Sequence, residues 1–450
     1  MSAELKRGLR SIILSTRHSG LKMDRIVITG GKPLRGEVRV SGAKNAALPI
    51  LASTILGGGE CVITNVPRVV DVVTMSKLLD LLGASVRTEG SQVAVSVERL
   101  RSTEAPYELV KTMRASVLVL GPLLARWGEA TVSLPGGCAI GTRPVNLHLA
   151  GLARLGAELT LEHGYIRAKA GRLRGARICL DTPTVTGTEN LMMAACLADG
   201  TTVIENAAKE PEVADLAAFL AKRGGRIAGA GSDVITVEGV QALHGADHEV
   251  IPDRIEAGTY LAAGATTGGD ICVEGCLPWH MEAVVMKLRE AGAELVEGKE
   301  SIRLKAPRRL RGVDVKTFAY PGFPTDMQAQ MMALMCVAQG TSMITETVFE
   351  SRFIHVPELR RMGADIKVEG NHAVVNGIEK MTGAPVMASD LRASAGLILA
   401  GLAAEGDTVI SRVYHLDRGY ERIEEKLGGL GAMIRRVKGG TGVAAAGRRA

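Results

Sequence analysis

The sequence predicts an α/β protein of 450 residues, built from six copies of one unit and grouped three and three into two similar domains. Two glycine ladders carry that prediction. One runs through L-G-A-S-V, L-G-A-E-L, R-G-G-R-I, A-G-A-E-L, M-G-A-D-I and L-G-A-M-I, placing Gly83, Gly156, Gly224, Gly292, Gly363 and Gly431 about 70 residues apart. The other places Gly59, Gly128, Gly200, Gly269, Gly340 and Gly406 between them at the same period, each followed by a short β-branched run. A glycine between an apolar helical stretch and a β-branched run is where a helix stops and the chain turns into a strand. The third observation is unit size. About 70 residues are too many for a solenoid rung and too few for a comfortable core of their own, so such units share cores.

Taken in order, residues 1–22 are basic, with an apolar run of only Ile12–Leu14, and are expected to be a flexible extension. Residues 23–43 read as a hairpin that completes the second domain. The first three-unit domain is expected over 44–250 and the remainder of the second over 251–437, with a double-stranded hinge near His248–Pro252. Residues 438–450 are expected to be a flexible tail. Two domains of this kind would face each other across a cleft, a preferred place for small ligands.

Composition narrows the function. Hydrophobic residues make up 46% and charged residues 23%, ordinary values for a globular protein. No run of 18 apolar residues occurs, so no membrane partner is expected, and the reading is cytoplasmic. Aromatic residues are only 3%, too few to stack single-stranded nucleic acid, so the net charge of +6 points to small anions. The seven cysteines include no C-x-x-C pair, and neither Cys272/Cys276 nor His244/His248 has a partner cluster at zinc spacing. No metal and no cofactor are expected.

The loop L-P-G-G-C-A-I-G-T-R-P (134–144) sets Cys138 among three glycines and two prolines, with Arg143 five residues on. Such a loop can move, and the arginine can activate a thiol or bind an anion; a chance cysteine in a bare loop is the alternative. Elsewhere, charges open apolar helices at matching places in the repeats: Lys44 with Asn45, Arg114, Asp326, Arg352, Arg392 and Arg418. Taken singly, Asp326 reads equally as a helix cap and each arginine as a solvated surface residue. Together they would converge on one cleft, and cations crowd there only around an anion with several charges, such as a phosphate plus a carboxylate.

These residues carry a family resemblance. The motifs S-G-A-K-N-A-A-L-P, G-G-C-A-I-G-T-R-P-V-N-L-H-L, P-T-V-T-G-T-E-N-L-M, P-G-F-P-T-D-M-Q-A-Q and D-L-R-A-S-A-G-L, in this order, resemble the UDP-N-acetylglucosamine 1-carboxyvinyltransferases of the enolpyruvyl transferase family, from about Met23 to about Arg436. The resemblance implies two inside-out α/β barrel domains, each of three β-α-β-α-β-β repeats, with an interdomain cleft. It implies transfer of enolpyruvyl from phosphoenolpyruvate to the 3-hydroxyl of UDP-N-acetylglucosamine, the first committed step of peptidoglycan synthesis.

By position, the resemblance assigns Lys44, Asn45, Arg143, Arg352, Arg392 and Arg418 to phosphoenolpyruvate. It assigns Arg114, Arg143, Pro144, Val145, Asn146, Leu147, Thr182, Pro183, Thr184, Val185, Asp326 and Val348 to the UDP-sugar. Cys138 matches the loop cysteine that donates a proton and can bond covalently to phosphoenolpyruvate. Asp326 matches the base for the sugar hydroxyl, and Asp390 a second acid near the reacting carbons. Asn146 stands where an aspartate is common, and relatives also vary at 182–186. The rival readings are the sister 3-phosphoshikimate 1-carboxyvinyltransferase, which is not expected to carry the G-G-C-A-I-G-T-R-P loop, and a non-enzymatic RNA-binding protein on a related repeat fold.

Overall fold

The computed structural model describes residues 24–134 and 145–439. Among these residues there are six four-stranded sheets of one topology. In each, a short edge strand runs parallel to its neighbour, and the next two pairings are antiparallel, as in the sheet where 247–249 pairs with 60–64, then 92–96, then 85–89. Strands of about five residues alternate buried and exposed side chains, so each sheet has one face for a core and one for water.

The cores are filled by helices. Helices α1 (Lys44–Ser53), α2 (Leu120–Trp127) and α3 (Val185–Ala195) belong to one hydrophobic cluster, and α4 (Arg254–Thr266), α5 (Gln328–Cys336) and α6 (Leu391–Ala403) to the other. Every residue of α5, and all of α4 after Arg254, is buried. A helix that is apolar all round must be buried on all sides. The sheets therefore lie outside and these helices inside, which is the inside-out α/β arrangement. A second, half-exposed helix of each repeat, such as Val70–Leu82, packs further out.

One cluster draws on residues 43–250; the other draws on 26–40 and 255–430. The stretch at 23–43 is not a hairpin. Strand β1 (Arg25–Thr29) lies between strands 407–411 and 433–437, whereas β2 (Arg35–Arg39) runs parallel to 270–274 in a different sheet. The connection Gly30–Leu34 is too long for a tight turn and contains Pro33, so the two strands separate. Thus β1 supplies the strand that the sixth repeat lacks, and β2 the edge strand of the fourth.

The chain passes between the clusters twice, and the two passages pair. Ala43 N donates to Ile251 O at 2.7 Å, and Asp253 N donates to Ser41 O at 2.9 Å. Gly42 sits in this crossing, where an added Cβ would lie 1.7 Å from Asn65 O; only glycine fits. The first glycine ladder has positive φ at all six positions, and the second at five. In the fourth repeat the left-handed residue is Gly268, one place before the expected Gly269.

The buried thiols are inert. Burial pushes Cys196 and Cys336 up to about 12, whereas Cys179 is exposed. Iodoacetamide at pH 8 will label Cys179 in the native protein and leave Cys196 and Cys336 unmodified until unfolding, as read by mass spectrometry. Equal labelling of all three in the native state would contradict this packing.

Candidate active site

Two carboxylates, the buried Asp71 and the part-exposed Asp326, organise the cations that the sequence singled out. Lys44 is the first residue of α1, where the chain has just crossed between the clusters. Its Nζ lies 3.0 Å from Oδ2 of Asp71, which sits in the first turn of helix Val70–Leu82. Asp71 also accepts from Arg418, 2.9 Å from Nε and 3.3 Å from Nη2. Lys44 and Asp71 belong to the 43–250 half and Arg418 to the other, so this group spans the two halves. Arg418 ends the 3₁₀ turn Val413–Arg418 instead of opening a helix, and the turn aims it back across the chain crossing.

The second carboxylate is Asp326, in the 3₁₀ turn that leads into α5. Its Oδ1 accepts from Arg352 Nη1 at 2.9 Å and its Oδ2 from Arg392 Nε at 3.1 Å. Arg352 lies in a turn ahead of helix Val356–Arg361, not within it, and Arg392 is the second residue of α6. Asp390 caps α6, with Oδ1 accepting from the backbone N–H of Arg392 and Ala393. The cap fixes the helix end on which Arg392 stands. His355 and His415 both lie within electrostatic reach of Asp390.

The two groups form one field. Burial lowers the Lys44 pKa from its ordinary value; Asp71 opposes this, and Arg392 and Arg418 add to it. For Asp71, burial acts upward, but Lys44 and Arg418 outweigh it and hold the carboxyl below its usual range. Arg254, which opens α4, is paired with Glu212 at 2.9 Å and faces Asp326 as well. Lys44, Asp326, Arg352, Arg392, Arg418 and Asp390 are thus brought together. Asn45 stands beside them, half-buried, as the next residue of α1.

The residues expected at the sugar nucleotide lie mostly around one buried histidine. His148, on helix Asn146–Arg154, meets Asn190 Nδ2 at 3.1 Å and Thr186 Oγ1 at 3.4 Å, both on α3. Arg114 lies close enough to act on its charge. This ties Arg114, Val145, Asn146 and Leu147 to Thr184 and Val185 at the start of α3, where Thr184 caps the helix by accepting from Gly187 N. Thr182 and Pro183 are exposed just ahead. Val348 is exposed in a turn held by the buried Glu346, which accepts from Val348 N and also from Thr325 Oγ1, next to Asp326. Cys138, Arg143 and Pro144 lie outside the described residues.

The histidines set a pH dependence. Burial, with Arg114 adding to it, pushes His148 down to about 4 from 6.5. Burial does the same to His355, to about 4, against the pull of Asp390. The unfolded chain takes up these protons near 6.5 and the folded one only near 4. Stability is therefore full above pH 6.5 and falls toward pH 4, by about 1.4 kcal/mol per pH unit for each histidine. Urea unfolding of His148→Gln at pH 7, 6 and 5 will show a shallower fall than the parent; an unchanged slope would place the titration elsewhere.

Sequence reasoning missed Asp71, Arg254, Glu212, Glu346 and Tyr420. Asp71 had a signal, a lone charge on the apolar helix opening R-V-V-D-V, but the site already looked complete with cations. What cations need to be stored in the free protein is a counter-charge, and Asp71 and Asp326 supply it.

The structure is thus an α/β protein of two paired halves with a cluster of cations, held by Asp71 and Asp326, beside the crossing between them. The family model described as EPSP synthase (3-phosphoshikimate 1-carboxyvinyltransferase) matches residues 28–427. A UDP-N-acetylglucosamine 1-carboxyvinyltransferase of Anaeromyxobacter sp. (strain Fw109-5) is 61% identical over 92% of this chain and 100% of its own length. One from Geobacter metallireducens is 60% identical over the same shares. The crystal structure of the enolpyruvyl transferase NikO from Streptomyces tendae superposes with a TM-score of 0.83 at 26% identity, covering 92% of this chain and 98% of that one. An EPSP synthase from Acinetobacter baumannii shares the fold, with a TM-score of 0.71 at 19% identity, covering 92% of this chain and 100% of that one. The chain belongs to the enolpyruvyl transferase family, and within it to the UDP-N-acetylglucosamine 1-carboxyvinyltransferases.

Proposed function

We propose that the protein transfers the enolpyruvyl group of phosphoenolpyruvate to the 3-hydroxyl of UDP-N-acetylglucosamine and releases phosphate. One observation supports this above others. Two carboxylates, Asp71 and Asp326, each hold two cations, and phosphoenolpyruvate brings two anionic groups to replace them. The relatives at 60–61% identity carry that activity in their names, which favours this acceptor over shikimate 3-phosphate.

In this reading, Lys44, Arg392, Arg418 and Arg352 hold phosphoenolpyruvate together with Asn45 and Arg143. The UDP-sugar lies along Arg114, residues 143–147, residues 182–185 and Val348. Phosphoenolpyruvate becomes electrophilic at C2 when C3 is protonated, and Cys138 on its glycine-rich loop is the proposed acid. As the substrate anion draws Arg352 and Arg392 toward itself, Asp326 is freed to take the proton of the 3-hydroxyl. The new C2–O bond gives a tetrahedral phosphate ketal. Loss of the C3 proton, with Asp390 nearby, and of phosphate then leaves the enolpyruvyl ether. The cations stabilise the oxyanions throughout, about 3 kcal/mol for one well-aimed contact.

Residues 44–250 and 23–43 plus 251–437 are read as two domains that close over the substrates about the double crossing. The cellular setting that fits is the cytoplasm, in peptidoglycan synthesis supporting cell shape and division. Fosfomycin, an epoxide electrophile, is expected to add to Cys138. Among the described residues, no helix is long and apolar enough to cross a membrane. The test is release of inorganic phosphate from phosphoenolpyruvate. It is expected only when UDP-N-acetylglucosamine is present; release with shikimate 3-phosphate instead would transfer the protein to the sister activity.

A further inference from the structure

Behind Arg392 lies a buried polar network that the proposed chemistry does not use. Tyr420 is 2% exposed, and its ring faces the Arg392 guanidinium at 5.3 Å from the ring centroid. Its hydroxyl also interacts with that guanidinium. On its other side the hydroxyl meets Thr259 Oγ1 at 2.9 Å and Gln330 Nε2 at 3.1 Å. Thr259, on α4, and Gln330, on α5, are fully buried, and Gln330 Nε2 also donates to Thr259 Oγ1 at 3.0 Å. Three core helices and the segment after Arg418 therefore meet at one phenolic oxygen.

Counting protons gives the direction of every bond. Thr259 has one hydroxyl proton, and it goes to Ile255 O at 2.7 Å. Thr259 Oγ1 can therefore only accept from Tyr420, so the phenol proton points to Thr259. Gln330 spends both amide protons, one on each hydroxyl. What remains on the Tyr420 oxygen is a lone pair turned to Arg392. Arg392 in turn gives Nε to Asp326, while its Nη1 is buried without a partner. The guanidinium is held from two sides, and the two N–H groups of Nη1 are left over for an incoming anion.

We infer that Tyr420, polarised by Thr259 and Gln330, is a positioning residue that holds the Arg392 guanidinium with Nη1 free for phosphoenolpyruvate. The inference rests on the reading that Arg392 grips that substrate. An Arg392 without the phenol oxygen would lose its contact on that side and gain a free side-chain torsion, and would turn to satisfy Nη1. The ring would still pack, so the loss is one of aim.

The test uses the full chain with Tyr420→Phe, which deletes only the oxygen. KM for phosphoenolpyruvate is expected to rise about tenfold, the scale of one hydrogen bond to a charged group, while KM for UDP-N-acetylglucosamine stays within twofold. In an Arg392→Lys background the same change should add nothing further, because the group it aims is gone. Unchanged KM for phosphoenolpyruvate in Tyr420→Phe would overturn the inference. So would a parallel rise in both KM values, or full additivity with Arg392→Lys, since each indicates core packing only. If Arg392→Lys alone leaves phosphoenolpyruvate binding intact, the reading of Arg392 fails first, and this inference falls with it. Should the phenylalanine variant not fold, Thr259→Val, which unties the phenol proton, is read by the same criteria.

Discussion

Asp326→Ala will lower kcat about a thousandfold, the typical scale for removing a positioned general base, with the fold retained. The geometry explains why the loss should appear in turnover. Asp326 accepts from Arg352 and Arg392 through different oxygens, and its side chain is still a quarter exposed, so it is both held and reachable. Without the carboxylate, Arg352 and Arg392 each lose a partner, so any change in KM for phosphoenolpyruvate should stay small beside the loss of turnover. Stopped-assay phosphate release with both substrates, set beside a thermal melt, separates the two effects. Near-normal turnover would remove Asp326 from the role of base, and a collapsed melt would make it a structural counter-charge instead.

Asp71→Ala is expected to be the most destabilising single change at the site. Asp71 is 2% exposed and is the shared partner of Lys44 and Arg418. Breaking a buried pair by removing one side leaves uncompensated charge, typically about 3–5 kcal/mol. Here two cations would be left facing each other across the junction of the two halves. Phosphoenolpyruvate should then stabilise the variant more than the parent, because it returns the missing negative charge. A smaller ligand-induced rise in melting temperature for Asp71→Ala than for the parent would refute the idea that the carboxylate stands in for substrate. The pH sign is also set. The Asp71 pKa is depressed below 3.8 in the folded protein, so its stabilisation is complete above that value and is lost as pH falls further. Asp71→Asn should flatten acid unfolding below about pH 4.

The repeat was legible because it is written in backbone chemistry. A left-handed turn after a helix demands glycine wherever it occurs, so eleven of twelve ladder positions mark it directly. The slip to Gly268 shows the limit of that signal, since G-G at 268–269 offers two residues for one turn. The fate of residues 23–43 was not legible. Alternating strands show that a segment pairs, but not with what, and the partners of β1 and β2 lie hundreds of residues away. For the site, the cations stood out as charges at apolar helix ends. Tyr420, Thr259 and Gln330 look like core residues in any window of sequence. Their role exists only through the meeting of α4, α5 and α6.

The placement of β1 orders the birth of the molecule. Residues 43–250 form a contiguous cluster and can consolidate while the rest of the chain is still on the ribosome. Strand β1 emerges before every other described strand, yet both its neighbours, 407–411 and 433–437, emerge hundreds of residues later. Strand β1 must wait, apolar and unpaired, until those hundreds of residues have been made. Nascent chains halted anywhere before residue 433 should therefore depend on holdase chaperones at that strand, and release of the final segment should end the dependence.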